Sequence, residues 1–221
     1  MITKKLLISS ALSALLLIGC GGGSTSTTTT GYLVDSAVAN VDYDCLADGQ
    51  LNQTTGPDGA FRCTNMTQVR FRIGNLILGE MNALPSDKYL FPQDLIGVAR
   101  DSGIDDNRVI AMAQLLQSLD SDGNPSNGIV IAQETKTLLV EAESNFNPDD
   151  VALYLESASI NPEHIRTREQ AREHLRETVQ AVIGQTTQSI PDTPTTPTTS
   201  ETPTSPTTPE TVTTLTPSVP S

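Results

Sequence analysis

Hydrophobic and polar positions follow three different patterns along this chain. Leu6 to Ile18 is apolar apart from Ser9, Ser10 and Ser13, and it follows Lys4 and Lys5. The run is shorter than the ~20 residues a membrane-spanning helix needs, and charge followed by a short apolar stretch is the order of a secretory signal. Period-two alternation then takes over. In "VRFRI", Val69, Phe71 and Ile73 fall on one face and Arg70 and Arg72 on the other, which predicts a half-buried strand. Gly74-Asn75 is a turn dipeptide, and Leu76 to Gly79 is the returning strand. Upstream, Gly31 to Cys45 carries apolar residues at short spacing, and Asp48-Gly49 and Asp58-Gly59 are turn pairs whose glycine can take positive φ. Five or six short strands joined by turns predict a small β-sandwich over residues 31–82.

Over residues 83–184 the period changes to that of a helix. Val109, Met112, Ala113, Leu116 and Leu119 make one stripe on a helix predicted over Asp105 to Leu119, with Asp105 or Asp106 as its cap. A second helix is predicted over Gln133 to Ala142. A third runs over Asn147 to Ser157, with Asn147 as cap, Pro148 at the first helical position and Asp149 and Asp150 facing the positive end. Asn161-Pro162 repeats that start. Thr167 to Gly184 opens on a capping box, Thr167 with Gln170, and is predicted to close on Gly184. Ala171, Leu175, Val179, Val182 and Ile183 form its apolar stripe.

The first apolar run ends Leu17-Ile18-Gly19-Cys20. This resembles the bacterial lipobox, whose cysteine is acylated before the leader is cleaved. The resemblance implies removal of residues 1–19 and a mature chain that begins at Cys20 with palmitate-type acyl chains on its sulfur and amine. One acyl chain binds membranes only marginally, whereas three anchor stably. The competing reading is an ordinary signal peptide with a coincidental cysteine. Gly21 follows Cys20, and the lack of an aspartate there favours the outer membrane, on the cell surface or facing the periplasm. Residues 20–30, rich in glycine, serine and threonine, read as a flexible tether. Residues 185–221, dominated by threonine and proline, read as a disordered tail, either a solvated spacer or an O-glycosylated stalk.

The formal charge of the chain is −13, and it becomes −15 once Lys4 and Lys5 leave with the leader. Such a chain is repelled by nucleic acid and by anionic lipid surfaces. There is no tryptophan, and four tyrosines and four phenylalanines leave little for recognition by stacking. With Cys20 acylated, Cys45 and Cys63 remain in an exported chain, and a disulfide between them is predicted. Two cysteines and two distant histidines, His164 and His174, do not make up a zinc site.

The β part carries a resemblance of its own. Gly31-Tyr32-Leu33-Val34-Asp35-Ser36-Ala37-Val38, then Val41-Asp42-Tyr43, then Thr54-Thr55-Gly56-Pro57-Asp58-Gly59-Ala60-Phe61 resemble a transthyretin-like or carboxypeptidase-regulatory-like module. Asn40 stands where that module has glycine. The continuation from Phe71 to Gly79 is similar to the version in surface lipoproteins of Gram-negative bacteria, among them mucin-degrading, accessory-colonisation-factor-type lipoproteins. Those proteins carry a protease domain with an H-E-x-x-H helix, whereas here the histidines stand ten residues apart in "EHIRTREQAREH". The resemblance therefore implies an exported β module with a surface setting and not the family's catalysis.

Few constellations carry chemistry. Asp120-Ser121-Asp122-Gly123-Asn124 places oxygen ligands at alternating positions, as a calcium loop does, and Asp120, Asp122 and Asn124 would supply them. Pro125 and Ile131 stand where an EF-hand has glycine and glutamate, and the same residues also read as a plain helix-ending turn. Asp101, Asp105 and Asp106 read as capping and surface charge. Arg166, Arg168, Arg172 and Arg176 alternate with Glu169, Glu173 and Glu177 and read as a salt-bridged solvent face. Neither histidine has a turn or strand-end setting, so no Ser-His-Asp triad is predicted. The reading that results is an α+β fold: a disulfide-closed β-sandwich, a helical region and a Thr/Pro-rich tail. Its expected role is that of a non-catalytic, lipid-anchored envelope protein with no cofactor, adhesive or structural, with a protein or glycan partner. The resemblance adds a second expectation, an accessory subunit of a secreted hydrolase such as a mucin-degrading protease.

Overall fold

Strand pairing takes up most of residues 29–81 in the computed structural model, which describes residues 27–139 and 144–188. The leader, Cys20 and nearly all of the Thr/Pro-rich tail lie outside the described residues. Seven strands fall in this part: β1 (Thr29–Leu33), β2 (Val38–Ala39), β3 (Asp42–Cys45), β4 (Gln50–Thr54), β5 (Ala60–Cys63), β6 (Val69–Ile73) and β7 (Leu76–Met81). Three short strands follow: β8 (Tyr89–Leu90), β9 (Ile129–Val130) and β10 (Ser144–Asn145). One sheet has the order β5-β1-β8, a second the order β10-β7-β6-β3-β4, and β2 pairs with β9 in parallel. The alternation over Val69–Ile73 holds: Val69, Phe71 and Ile73 are fully buried and the two arginines are not. Gly49, Gly59 and Gly74 all have positive φ, and a Cβ on Gly59 would lie 2.3 Å from the Leu33 carbonyl oxygen.

The two larger sheets are joined by a covalent bond and an aromatic contact. Cys45 on β3 is joined to Cys63 on β5 across a Cα–Cα distance of 5.8 Å. Phe61 on β5 meets Phe71 on β6 edge to face, with ring centroids 4.9 Å apart, and Tyr43 on β3 packs against both. A Cβ on Gly31 would come within 2.4 Å of the Phe61 ring, so glycine is what lets β1 lie against β5 there.

The chain beyond residue 82 does not stand apart from these sheets. β8 extends β1, β10 extends β7, and β9 extends β2. The helices are α1 (Pro92–Ile96), α2 (Asn107–Ser118), α3 (Gln133–Leu138), α4 (Val151–Ser157) and α5 (Arg168–Gln188), with 3-10 turns at Gly103–Asp105, Pro125–Asn127 and Pro162–His164. Asp106 caps α2 by accepting the Arg108 amide at 2.8 Å, and Arg108 holds its carboxyl down at about 2. Every residue of the predicted α2 stripe is buried, and so are Ile110, Ala111 and Leu115 on its other faces.

Some ends differ from expectation. α4 starts at Val151, because the Asn147 side chain accepts from the Asp149 amide and the Asp150 amide bonds back to the Asn147 carbonyl, closing a turn instead of a helix. The capping box at Thr167 and Gln170 is present in both directions, but α5 runs past Gly184 to Gln188. A Cβ on Gly184 would meet nothing within 4 Å, and its φ is not positive, so it makes no left-handed stop. Ala171, Leu175 and Val179 face the core while Ile183 is 41% exposed. The predicted helix over 133–142 is seen to Leu138, and residues 140–142 lie outside the described residues.

A charged seam ties α3 to β3. Lys136 is 5% exposed, and its Nζ donates to Asp42 Oδ1 at 2.8 Å and to Asn40 Oδ1 at 3.1 Å. Arg72 pairs with Asp42 and Asp44 from the neighbouring strand. The disulfide constrains the unfolded chain over a sequence separation of 18 residues, and on the loop-entropy account removing it costs roughly 3 kcal/mol. The double variant Cys45→Ser, Cys63→Ser is expected to fold and to lose about that much in urea denaturation, with an unchanged midpoint as the opposite result.

Candidate functional site

An acid in the middle of an apolar strand-turn-strand run is the most unusual local feature of the fold. Val34 and Ala37 bridge across the turn that joins β1 to β2, and Asp35 and Ser36 form its tip. Asp35 is fully buried, and Ser36 has φ +60°, a conformation most non-glycine residues avoid. Two helices close over this tip. From α2, fully buried Gln117 donates Nε2 to Asp35 Oδ2 at 3.0 Å and to the Ala171 carbonyl of α5 at 3.1 Å. From α5, His174 Nε2 lies 3.0 Å from Ser36 Oγ. A turn of the β part, the central helix and the last helix thus meet through four polar side chains.

The electrostatics follow from burial. Burial pushes the Asp35 carboxyl up to about 7, against the opposing pull of the Gln117 hydrogen bond. Burial also pushes the His174 imidazole below its ordinary value, and a hydrogen bond to the Asp35 main chain works against that shift. Asp35 Oδ1 and Gln117 Oε1 are buried and have no hydrogen-bond partner. Burial thus works on both groups in favour of their uncharged forms.

A serine hydroxyl 3.0 Å from an imidazole is the first half of a nucleophile–base pair. The second half is a carboxylate that orients the base, and here the Asp35 carboxyl bonds Gln117 while only its main chain reaches His174. What the geometry does is pin a strained turn to α5.

The residues predicted from sequence fall in several places. Cys45 and Cys63 are joined to each other, so the grouping they make with Asp48 offers no thiolate to a metal. Asp120, Asp122 and Asn124 lie together where α2 ends. Asp120 is 2% exposed, its Oδ1 accepts the Val130 amide at 2.9 Å, and its carboxyl faces that of Asp122. His164 lies in a 3-10 turn with its ring against Gly123, and His174 lies on α5, so the two histidines serve different elements and do not share one helix. The arginine face is salt-bridged as expected, Arg172 to Glu169 and Arg176 to Glu173, but Asp105 joins it and ties both arginines to the start of α2. Arg166 turns instead to the Gly123 carbonyl at 3.1 Å.

Sequence reasoning did not bring Asp35, Ser36, Gln117 and His174 together: Asp35 and Ser36 entered only through the transthyretin-like pattern, and His174 was set aside as a zinc ligand and as a triad base. Their only signals were Asp35 inside "YLVDSAVA" and a glutamine and serine breaking the apolar end of α2, "LLQSL". Among the described residues, no helix is long and apolar enough to cross a membrane. No family model, curated protein or solved structure matches the chain.

The Asp35 shift fixes a pH dependence. The folded value lies above the unfolded one, so the contribution of this carboxyl is full below pH 3.8 and is lost as pH rises toward about 7, by up to about 1.4 kcal/mol per unit. His174 acts in the opposite sense, because acidification below its ordinary 6.5 charges the unfolded state first. Comparison with Asp35→Asn, which keeps shape without charge, separates the two. Between pH 4.5 and 7 the natural protein should lose stability relative to the variant in urea titrations, and parallel pH profiles would place Asp35 in a less buried setting.

Proposed function

We propose that this chain is a lipid-anchored bacterial envelope protein with a non-catalytic, binding or structural role at the cell surface. The observation that carries the reading is Cys20, placed between an apolar leader and a polar linker. β1 begins at Thr29, nine residues after Cys20. At about 3.4 Å per residue the link spans at most about 30 Å, so acyl chains on Cys20 hold the folded body close above the lipid.

Three features support a binding or structural role over hydrolysis. The Ser36–His174 contact joins two elements that pack together, and the Asp35 carboxyl is turned to Gln117. The β part is read as a transthyretin-like sandwich, supported by the two sheets facing each other across Cys45–Cys63 and Phe61–Phe71. At Asn40, where the pattern has glycine, φ is +61°, a conformation that asparagine tolerates better than most residues. A net charge of −13 suits partners that are neutral or basic, such as protein or glycan surfaces.

Cys20→Ala should move the protein from the detergent-extracted membrane fraction to the soluble one. Unchanged fractionation would remove the anchor. Binding of the purified protein to mucin, glycans or envelope extracts then tests the role, and protease shaving of intact cells decides between the outer surface and the periplasmic side.

A further inference from the structure

Where α2 ends, two carboxylates face each other, and the buried one has an oxygen with no donor. Asp120 follows α2 directly and is 2% exposed. Its Oδ1 accepts the Val130 amide at 2.9 Å, but its Oδ2 is buried and has no hydrogen-bond partner. The group opposite is the Asp122 carboxyl, within hydrogen-bond reach of Asp120, so that only a shared proton or a cation can keep the two together. Asp122 takes the Asn124 amide at 2.9 Å on Oδ1 and Asn127 Nδ2 at 3.0 Å on Oδ2, and each oxygen keeps a further lone pair. The nearest positive groups do not fill the gap. Arg166 donates to the Gly123 carbonyl, the His164 ring packs on Gly123 and acts on the exposed Asp122, and among the described residues neither carboxylate is ion-paired with a lysine or arginine. An unpartnered buried carboxylate oxygen is costly, and a second carboxylate facing it calls for a positive charge between.

We infer that Asp120, Asp122 and Asn124 bind a calcium ion that fixes the segment 120–131 against the β part. The three donors are all hard oxygens at alternate positions on a turn, which suits calcium, although the His164 ring lies against Gly123 beside them. Asp120 and Asp122 supply the charge, and the Asn124 side-chain carbonyl supplies a neutral oxygen. Pro125 excludes the EF-hand backbone, so the turn is of another kind, and its closing bonds show what the ion would hold. Ser121 donates to the Val130 carbonyl, Ile129 to that of Ala37 and Ile131 to that of Ala39. The loop that carries the ion therefore also lays β9 on β2, beside the Asp35–Ser36 turn. Two carboxylates and one amide place the affinity in the weak class of calcium sites, with a dissociation constant on the order of 10⁻⁴–10⁻³ M.

The test uses the full chain, stripped with EDTA and titrated with calcium chloride by calorimetry and by thermal melting. At 10 mM calcium the melting temperature should rise by roughly 3–10 °C, and the same concentration of magnesium chloride should leave it nearly unmoved. Asp122→Asn, at an exposed position, should abolish both the rise and the binding heat. Should that variant not fold, Asn124→Ala takes its place and should weaken the binding at least several-fold. No heat and no rise in the natural protein would overturn the inference. So would an equal rise with magnesium, or a calcium response undiminished in the variant.

Discussion

Everything in this fold is arranged around one helix, α2, which is buried from Val109 to Ser118 except at Gln114. α2 presents Ala111, Met112, Leu115, Leu116 and Leu119 to one apolar cluster and Val109 and Ala113 to another. The first cluster holds buried residues of both larger sheets, including Phe61, Phe71 and both disulfide cysteines, and the second holds Phe91 and Ala171, Leu175 and Val179 of α5. At about 1.5–3 kcal/mol for each fully buried large apolar side chain, α2 alone accounts for stabilisation comparable to the whole net stability of an ordinary domain. Neither the sheets nor α5 can keep its apolar surface dry without it.

That constraint explains where the polar groups went. A helix whose C-terminal end is fully buried must satisfy Gln117 and Ser118 inside the protein, and it does so across element boundaries: Gln117 to Asp35 and Ala171, Ser118 to the Arg166 amide. The end of α2 then passes Asp120 into the loop that returns β9 to β2. The turn at Asp35 and Ser36, the last helix and the acidic loop are consequently one connected polar seam around the end of α2. A protein built this way presents its faces as a unit: the acidic loop is tied to the β2 edge through the main-chain bonds of Ile129 and Ile131, without a hinge between a β part and a helical one.

Much of this was legible in the sequence, and the misses have physical causes. The strict alternation at Val69–Ile73, the glycine turns, the Cys45–Cys63 bond and the Thr167–Gln170 box each depend on neighbours close in the chain or on a single chemical choice, so local pattern suffices. A mixed α+β fold followed from the change of period near residue 83. What period could not reveal was that strands as short as β8, β9 and β10 belong to sheets begun fifty or more residues earlier, because two residues carry no period. The stripe read on α2 was correct and incomplete: five positions on one face give no sign that Ala111 and Leu115 are covered as well. Asp35, Gln117 and His174 come together from positions as much as 138 residues apart between Ser36 and its histidine partner, and nothing in their local spacing marks the meeting. Asp120 and Asp122 were visible as a ligand pattern, but only burial shows that one oxygen lacks a donor.

Native-state hydrogen exchange tests the shared core most directly. If α2 is the common wall of both clusters, the amides of Ala111, Met112 and Leu115 should open only with the amides of Phe71 and Arg72 on β6, at one free energy close to that of global unfolding. Exchange of α2 and α5 at a clearly lower free energy, with the strands still protected, would show that the helices come away by themselves and would contradict the account.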